Sequence, residues 1–251
     1  MSSVFFHDRG QGRPIVLLHG FLESHLIWKR FSEDFLTEYR VIAVDLPGFG
    51  NSQLPIRKPF SIAEVATLVL ASLEPLQLSR PVLVGHSLGG YVTLAMIEQQ
   101  PKVFSAFCLF HSTAYADSPE KKEARTKTID FVERNGSHAF TSNFVPPLFA
   151  NPNHESIAFA TSLAVQTPQD TVTGYLQAMR DRPDRTEVIR QFEGPIAFIA
   201  GDKDGVISAK ALEKQSRLAK KAHFSLIKDV AHMGMFEAPA ACAQALLTLM
   251  G

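Results

Sequence analysis

A chain of 251 residues suits one α/β core carrying an insertion, and with 45% hydrophobic and 20% charged residues it can bury a substantial core without help from metals or disulfides. Lys plus Arg and Asp plus Glu number 25 each. No positive excess is left to neutralise phosphates or anionic lipid, which sets nucleic acid aside as a partner.

Met1 to Gly12 contains His7, Asp8 and Arg9 and no long apolar run, so neither a secretory signal nor a membrane anchor is supported and a cytoplasmic protein is expected. Val4 to Phe6 predicts a short antiparallel edge strand. Ile15 to Leu18, Val41 to Val44, Pro81 to Val84 and Ile196 to Ala200 are apolar runs followed by Gly, Asp or Pro punctuation, and they predict buried parallel strands. Phe104 to Phe110 predicts a fifth, and His223 to Ile227 the last strand of the sheet. Among the intervening segments, Ser61 to Leu73 carries Ile62, Val65, Ala66, Val69 and Leu73 at helical spacing behind a Ser61 to Glu64 capping box. This alternation predicts an open, mostly parallel sheet flanked by helices, in which ligands bind beyond the carboxyl ends of the strands.

From 114 to 192 the alternation stops. The segment is helical and polar with scattered Phe and Leu, broken at Gly136, Pro146, Pro147, Pro152 and Pro168. It reads as a helical cap inserted into a core made of 1–113 and 193–251. Within it, the run Lys121 to Lys127 interleaves both signs of charge and reads as a solvated helix face without a function. Cys108 and Cys242 fall in apolar strand and helix patterns and read as buried small hydrophobes. The apolar stretch Ala238 to Met250 is shorter than the roughly 20 residues that cross a bilayer.

The strongest chemical signal is Gly85-His86-Ser87-Leu88-Gly89, with Gly90 next, between the strand at Pro81 to Val84 and a helical pattern starting near Tyr91. A serine at a sharp strand-to-helix turn sits in a strained backbone and is lifted above the sheet, while small neighbours let strand and helix approach closely. The helix dipole adds about 0.3–1 kcal/mol for a nearby negative charge. His19-Gly20-Phe21 ends the first buried strand and opens into the same crevice. Acyl transfer needs two donors aimed at the oxygen that becomes negative, and the backbone N–H groups of Phe21 and Leu88 are the candidates. His19 itself reads as a structural histidine bonded to backbone.

A serine hydroxyl needs a base to take its proton during attack. Of nine histidines, His232 follows the last strand on a loop that returns to the carboxyl edge; His86, adjacent to the serine in a tight turn, points away. Gly201-Asp202-Lys203-Asp204 brings a carboxylate to another strand end. On the residues alone Asp202 and Asp204 stay open as its orienting acid, with Asp229 a third candidate. No His, Cys or carboxylate cluster has metal-ligand spacing, and neither a metal nor a cofactor is implied. Gly48-Phe49-Gly50 lacks the third glycine and the helix start of a dinucleotide site.

Taken in order, Ile15 to Phe21, Val44 to Ser52, Gly85 to Gly90, Gly201 to Asp204 and His232 to Pro239 resemble the α/β-hydrolase superfamily, specifically its capped, single-domain members, over essentially the whole chain. The resemblance implies that fold and a triad in the order Ser87, Asp204, His232, with Asp204 taken over Asp202 as the position three residues after Gly201. It implies that Asp45 is structural. It also implies a serine hydrolase that cleaves small carboxylic esters with an apolar acyl or alcohol group through an acyl-enzyme, since relatives that open haloalkanes or epoxides carry aspartate at the nucleophile position. Carbon–carbon hydrolases or lyases on an acidic metabolite, for which Arg125, Arg180 and Arg182 are available, and triad-retaining small-molecule receptors stay open as alternatives. Phe140, Phe144, Leu148, Phe149, Phe159, Leu163, Leu176 and Met179 divide between cap packing and an apolar pocket. Trp28, His111, Phe144, Met179 and Met233 are the candidate substrate-binding residues; His111 and Ser112, at a strand end, either face the crevice or pack as a strand-end pair, and both readings stay open. A small-molecule substrate is the expected partner, with neither nucleic acid nor membrane; the oligomeric state is not legible.

Overall fold

A computed structural model describes residues 4–52 and 58–250 of the chain; Met1 and Gly251, the outer limits of the two core segments, lie outside the described residues. Seven strands, β1 (Phe6–Arg9), β2 (Arg13–Leu18), β3 (Tyr39–Val44), β4 (Val82–His86), β5 (Ala106–Phe110), β6 (Ile196–Gly201) and β7 (Ala222–Ile227), form one sheet in the order β1-β3-β2-β4-β5-β6-β7. All neighbours run parallel except β1, which pairs antiparallel with β3. The continuous apolar text of the central strands has its cause here: helices cover the sheet, and every residue of β4 and β5 is buried.

The edge strand lies at Phe6–Arg9, not at Val4 to Phe6. An edge strand answers to backbone pairing rather than to burial, so its register with β3 runs through His7, Asp8 and Arg9, which are exposed. Asp8 accepts a hydrogen bond from Arg40 Nη2 at 2.6 Å across the same pair of strands.

Helix α1 (Ile62–Leu73) starts at the expected box, with Ser61 accepting from the Glu64 N–H and the Glu64 carboxylate accepting from the Ser61 N–H. Helix α2 (Leu88–Gln99) begins three residues before Tyr91. Gly89 and Gly90 are poor helix formers, so local propensity hid a start that packing imposes. Between β5 and β6 run α3 (Pro119–Asn135), α4 (His138–Phe144), α5 (Ser156–Ala164), α6 (Gln169–Arg180) and α7 (Thr186–Gln191), with α3 packed on α6. The chain returns through α8 (Ala209–Ser216), α9 (Gly234–Glu237) and α10 (Pro239–Leu247). Among the described residues no helix is long and apolar enough to cross a membrane. Cys108 in β5 and Cys242 in α10 are both buried and free.

Candidate active site

Strands β2, β4, β5, β6 and β7 are parallel, so their carboxyl ends lie on one rim, and the loop that follows each carries one or more of the candidate site residues. Ser87 joins β4 to α2 with φ 48° and ψ −113°, a backbone state that L residues avoid and that persists only where the surroundings enforce it. The enforcement is specific. The Ser87 N–H donates to the Phe110 carbonyl at 3.1 Å, and its carbonyl accepts from Ser112 Oγ at 2.7 Å. A Cβ on Gly89 would lie 2.4 Å from the Leu18 carbonyl oxygen, so only glycine lets α2 approach β2 this closely.

His232, on the loop after β7, points Nδ1 at Asp204 Oδ2 at 2.8 Å. The other oxygen, Oδ1, accepts from the N–H groups of Val206 at 2.8 Å and Ile207 at 2.9 Å. Asp202 is exposed, and exposed Asp229 pairs with Lys203; neither is bonded to His232. Burial alone would raise the Asp204 pKa, but His232 and His111 beside it hold the carboxyl well below the usual carboxylate range.

His111, expected to face substrate, instead lies fully buried behind the site with Nδ1 3.2 Å from the same Asp204 oxygen. Its Nε2 is buried without a partner among the described residues, which marks the neutral tautomer with the proton on Nδ1. Burial lowers its pKa to about 4. Ser112 is likewise buried, holding the Ser87 carbonyl. His111, Asp204 and His232 thus form a cluster with the donor types of a metal site, although their sequence spacing gave no sign of it. Their separations of 2.8 and 3.2 Å are hydrogen-bond lengths, and Oδ1 is already committed to two N–H groups.

The loop carrying His232 is braced on three sides. Its N–H donates to the Leu148 carbonyl at 2.9 Å. Its carbonyl accepts from His86 Nε2 at 3.0 Å. Glu237 accepts from the N–H groups of Ala231 at 3.0 Å and Ala150 at 2.6 Å.

His86, adjacent to the serine, bonds elsewhere with both ring nitrogens. Its Nδ1 lies 3.0 Å from the Glu23 carboxylate, and that carboxylate also accepts from the Gly20 N–H at 2.5 Å. Burial works against charge on both, and their mutual attraction prevails: the His86 pKa is raised and the Glu23 pKa lowered. Nothing in the sequence marked Glu23 beyond its place two residues after Phe21.

Phe21 and Leu88, proposed from sequence as backbone donors, flank the serine. Leu88 is the first residue of α2, so its N–H has no intrahelical acceptor. Among the described residues no loop or turn carbonyl accepts from the Phe21 N–H. His19 accepts from the Leu46 N–H at 3.0 Å and meets the Gly20 carbonyl at 2.7 Å, a structural histidine. Asp45 is structural too, accepting from the His25 and Asn51 N–H groups.

Ser87 and His232 open onto a cavity of about 110 Å³ lined on its apolar side by Phe21, Phe144, Leu148, Leu176 and Met179. Glu23, Tyr91, Arg125 and Val206 complete it. Of the expected substrate-binding residues, Phe144 and Met179 reach this cavity. Trp28 does not: it is fully buried in the core against Phe31 and Phe110, because the segment after β2 turns inward as a 3-10 helix. Met233 does not either, being buried at the start of α9.

The comparisons with known proteins agree with this architecture. The model of the alpha/beta hydrolase family matches residues 15–245. A solved thermophilic esterase from Thermogutta terrifontis is similar over 98% of this chain and 92% of its own, with a TM-score of 0.92 and 29% identity. Lipase 3 of Moraxella sp. (strain TA144) is 26% identical over 92% of this chain and 75% of its own length. The uncharacterized hydrolase YugF of Bacillus subtilis (strain 168) is 37% identical over 110 residues, which span 43% of this chain and 40% of that protein. With a match that runs from β2 into α10, on a mostly parallel seven-stranded sheet, the chain belongs to the alpha/beta hydrolase family.

Proposed function

We propose that Ser87 attacks the carbonyl of a small carboxylic ester, that His232 takes the serine proton and passes it to the leaving alcohol, and that Asp204 holds the imidazole and stabilises its charged form. The family, with esterases and lipases among its relatives, makes this chain a carboxylesterase-like α/β hydrolase. The observation that carries the finer reading is the 2.8 Å contact of His232 Nδ1 with Asp204 Oδ2, made by a ring that shares one small cavity with Ser87.

The steps follow from these contacts. Asp204 fixes the proton on Nδ1 and leaves Nε2 as the acceptor for the serine proton. The tetrahedral oxyanion is met by the N–H groups of Phe21 and Leu88; one such donor is worth about 2.7–4 kcal/mol of barrier in a hydrolase site. Collapse expels the alcohol, which takes its proton from His232, and water then hydrolyses the acyl-enzyme by the same route. The apolar wall of Phe21, Phe144, Leu148, Leu176 and Met179 favours an apolar acyl or alcohol group. Residues 114–192 act as the cap of this site, supplying four of those five side chains.

The test is direct. A phosphonate directed at serine labels Ser87 and stops hydrolysis of p-nitrophenyl butyrate, and Ser87→Ala does the same; ester turnover that survives both would remove the serine from the mechanism.

A further inference from the structure

The cavity contains a cation that ester hydrolysis does not use. Arg125 belongs to the charged run on α3 that reads as a solvated face, and it is one of three arginines the sequence offers without placing; it lines the same cavity as Ser87 and His232. Its Nε donates to Asp117 Oδ2 at 2.5 Å. Its two Nη groups have no acceptor among the described residues. Asp117 is also bound by Arg182, Nη1 to Oδ1 at 2.7 Å, so one carboxylate serves two guanidinium groups and the cluster keeps one unit of positive charge.

That charge is displayed at Arg125, because Arg182 is enclosed: both its Nη groups are bonded and its Nε, without a partner among the described residues, is buried. Arg182 is buried, donates to the Met179 and Tyr115 carbonyls at 2.7 and 2.9 Å, and stacks 3.9 Å over the Tyr91 ring. Arg182 therefore braces Asp117, and Asp117 aims Arg125. The negative groups nearby are already answered: Glu23 by His86 and the Gly20 N–H, and Asp204 by two histidines and two backbone N–H groups. A guanidinium held by Nε presents its remaining edge as a fork that fits a carboxylate, and the apolar walls around it strengthen the attraction by excluding water.

We propose that Arg125 binds a carboxylate carried by the substrate, so that the preferred ester has an anionic end separated from its scissile carbonyl by a short apolar chain. This rests on the assignment of Ser87 and His232 as the reacting pair and names the substrate class of that site.

The experiment compares kcat/KM for mono-p-nitrophenyl glutarate with that for its neutral methyl ester, in wild type, Arg125→Gln and Arg125→Lys. The wild type favours the acid by ten-fold or more, through KM rather than kcat, and salt erodes the preference. Arg125→Gln brings the ratio below two, while Arg125→Lys keeps an intermediate ratio. A wild-type ratio at or below one, or a ratio unchanged in Arg125→Gln, overturns the proposal. If neither ester is hydrolysed, the esterase reading fails, and calorimetric binding of monomethyl glutarate decides for Arg125 alone: ten-fold weaker binding to Arg125→Gln upholds it, and equal binding overturns it.

Discussion

His86 Nε2 and the main-chain oxygen of His232 lie 3.0 Å apart, so the residue preceding the elbow serine holds the loop of the histidine that shares a cavity with that serine. Through Nδ1 the same ring is tied to Glu23, which holds the Gly20 N–H next to Phe21. One buried pair thus connects the three loops of the site. Glu23→Gln keeps an acceptor for Gly20 but removes the charge partner of His86; we expect kcat to fall about ten-fold with little change in KM for a neutral ester, since positioning and not binding is disturbed. An unaltered kcat would leave the pair with a purely structural part.

The pair also sets a pH window. His86 is raised above 6.5, so its contribution is complete below that value and is lost as pH rises through its folded pKa. Glu23 is lowered below 4.5, so its contribution holds above that value and is lost as pH falls through its folded pKa. The difference in Tm between wild type and Glu23→Gln is therefore largest between about pH 4.5 and 6.5, and thermal melts across pH 4–9 read it.

His111 moves stability the other way on the acid side. Its pKa falls from 6.5 to about 4 on folding, so between these values the unfolded chain binds a proton that the folded one refuses, and stability drops as pH falls. His111→Asn, which keeps a donor for Asp204 and tolerates the positive φ of 47° at this position, shows a flatter Tm profile from pH 4 to 6.5. An equal slope in both proteins would put the acid sensitivity elsewhere.

Exchanging carboxylates separates the three acids that the chain offers. Asp204→Asn lowers kcat roughly 10³–10⁴-fold, because an amide beside Nδ1 no longer fixes the tautomer or stabilises the charged ring. Asp202→Asn and Asp229→Asn stay within about two-fold of wild type, as both side chains are exposed and neither is bonded to His232. Steady-state kinetics on p-nitrophenyl butyrate discriminate the three.

Glu237 is a further brace, bonded to Ala231 on the histidine loop and Ala150 in the segment between β5 and β6. Glu237→Ala orphans both N–H groups, and a loss of about 1–3 kcal/mol is expected in denaturant unfolding, accompanied by a lower kcat.

The order of strands and the elbow were legible because buried parallel strands read as unbroken apolar runs and because glycine is demanded where α2 meets β2. The edge strand was not, since His7, Asp8 and Arg9 satisfy pairing without burial. His111 follows β5 directly, where a side chain can turn toward the crevice or into the core and sequence position does not say which; Trp28 lies in a 3-10 helix whose inward turn left no mark in the sequence. Arg125 was named with Arg180 and Arg182 as an available cation but could not be placed from a run of mixed charge; its meeting with Asp117 and its place in the cavity lining distinguish it.

Asp204 takes four N–H donors on two oxygens, which leaves its carboxylate no freedom to swivel. The imidazole above it is accordingly clamped at one end, and in the proposed mechanism proton traffic has a single exit through Nε2. On that mechanism, adaptation to new esters would work through the side chains of Phe144, Leu176 and Met179, which helices rather than strand ends bring to the cavity, while the acid corner stays frozen.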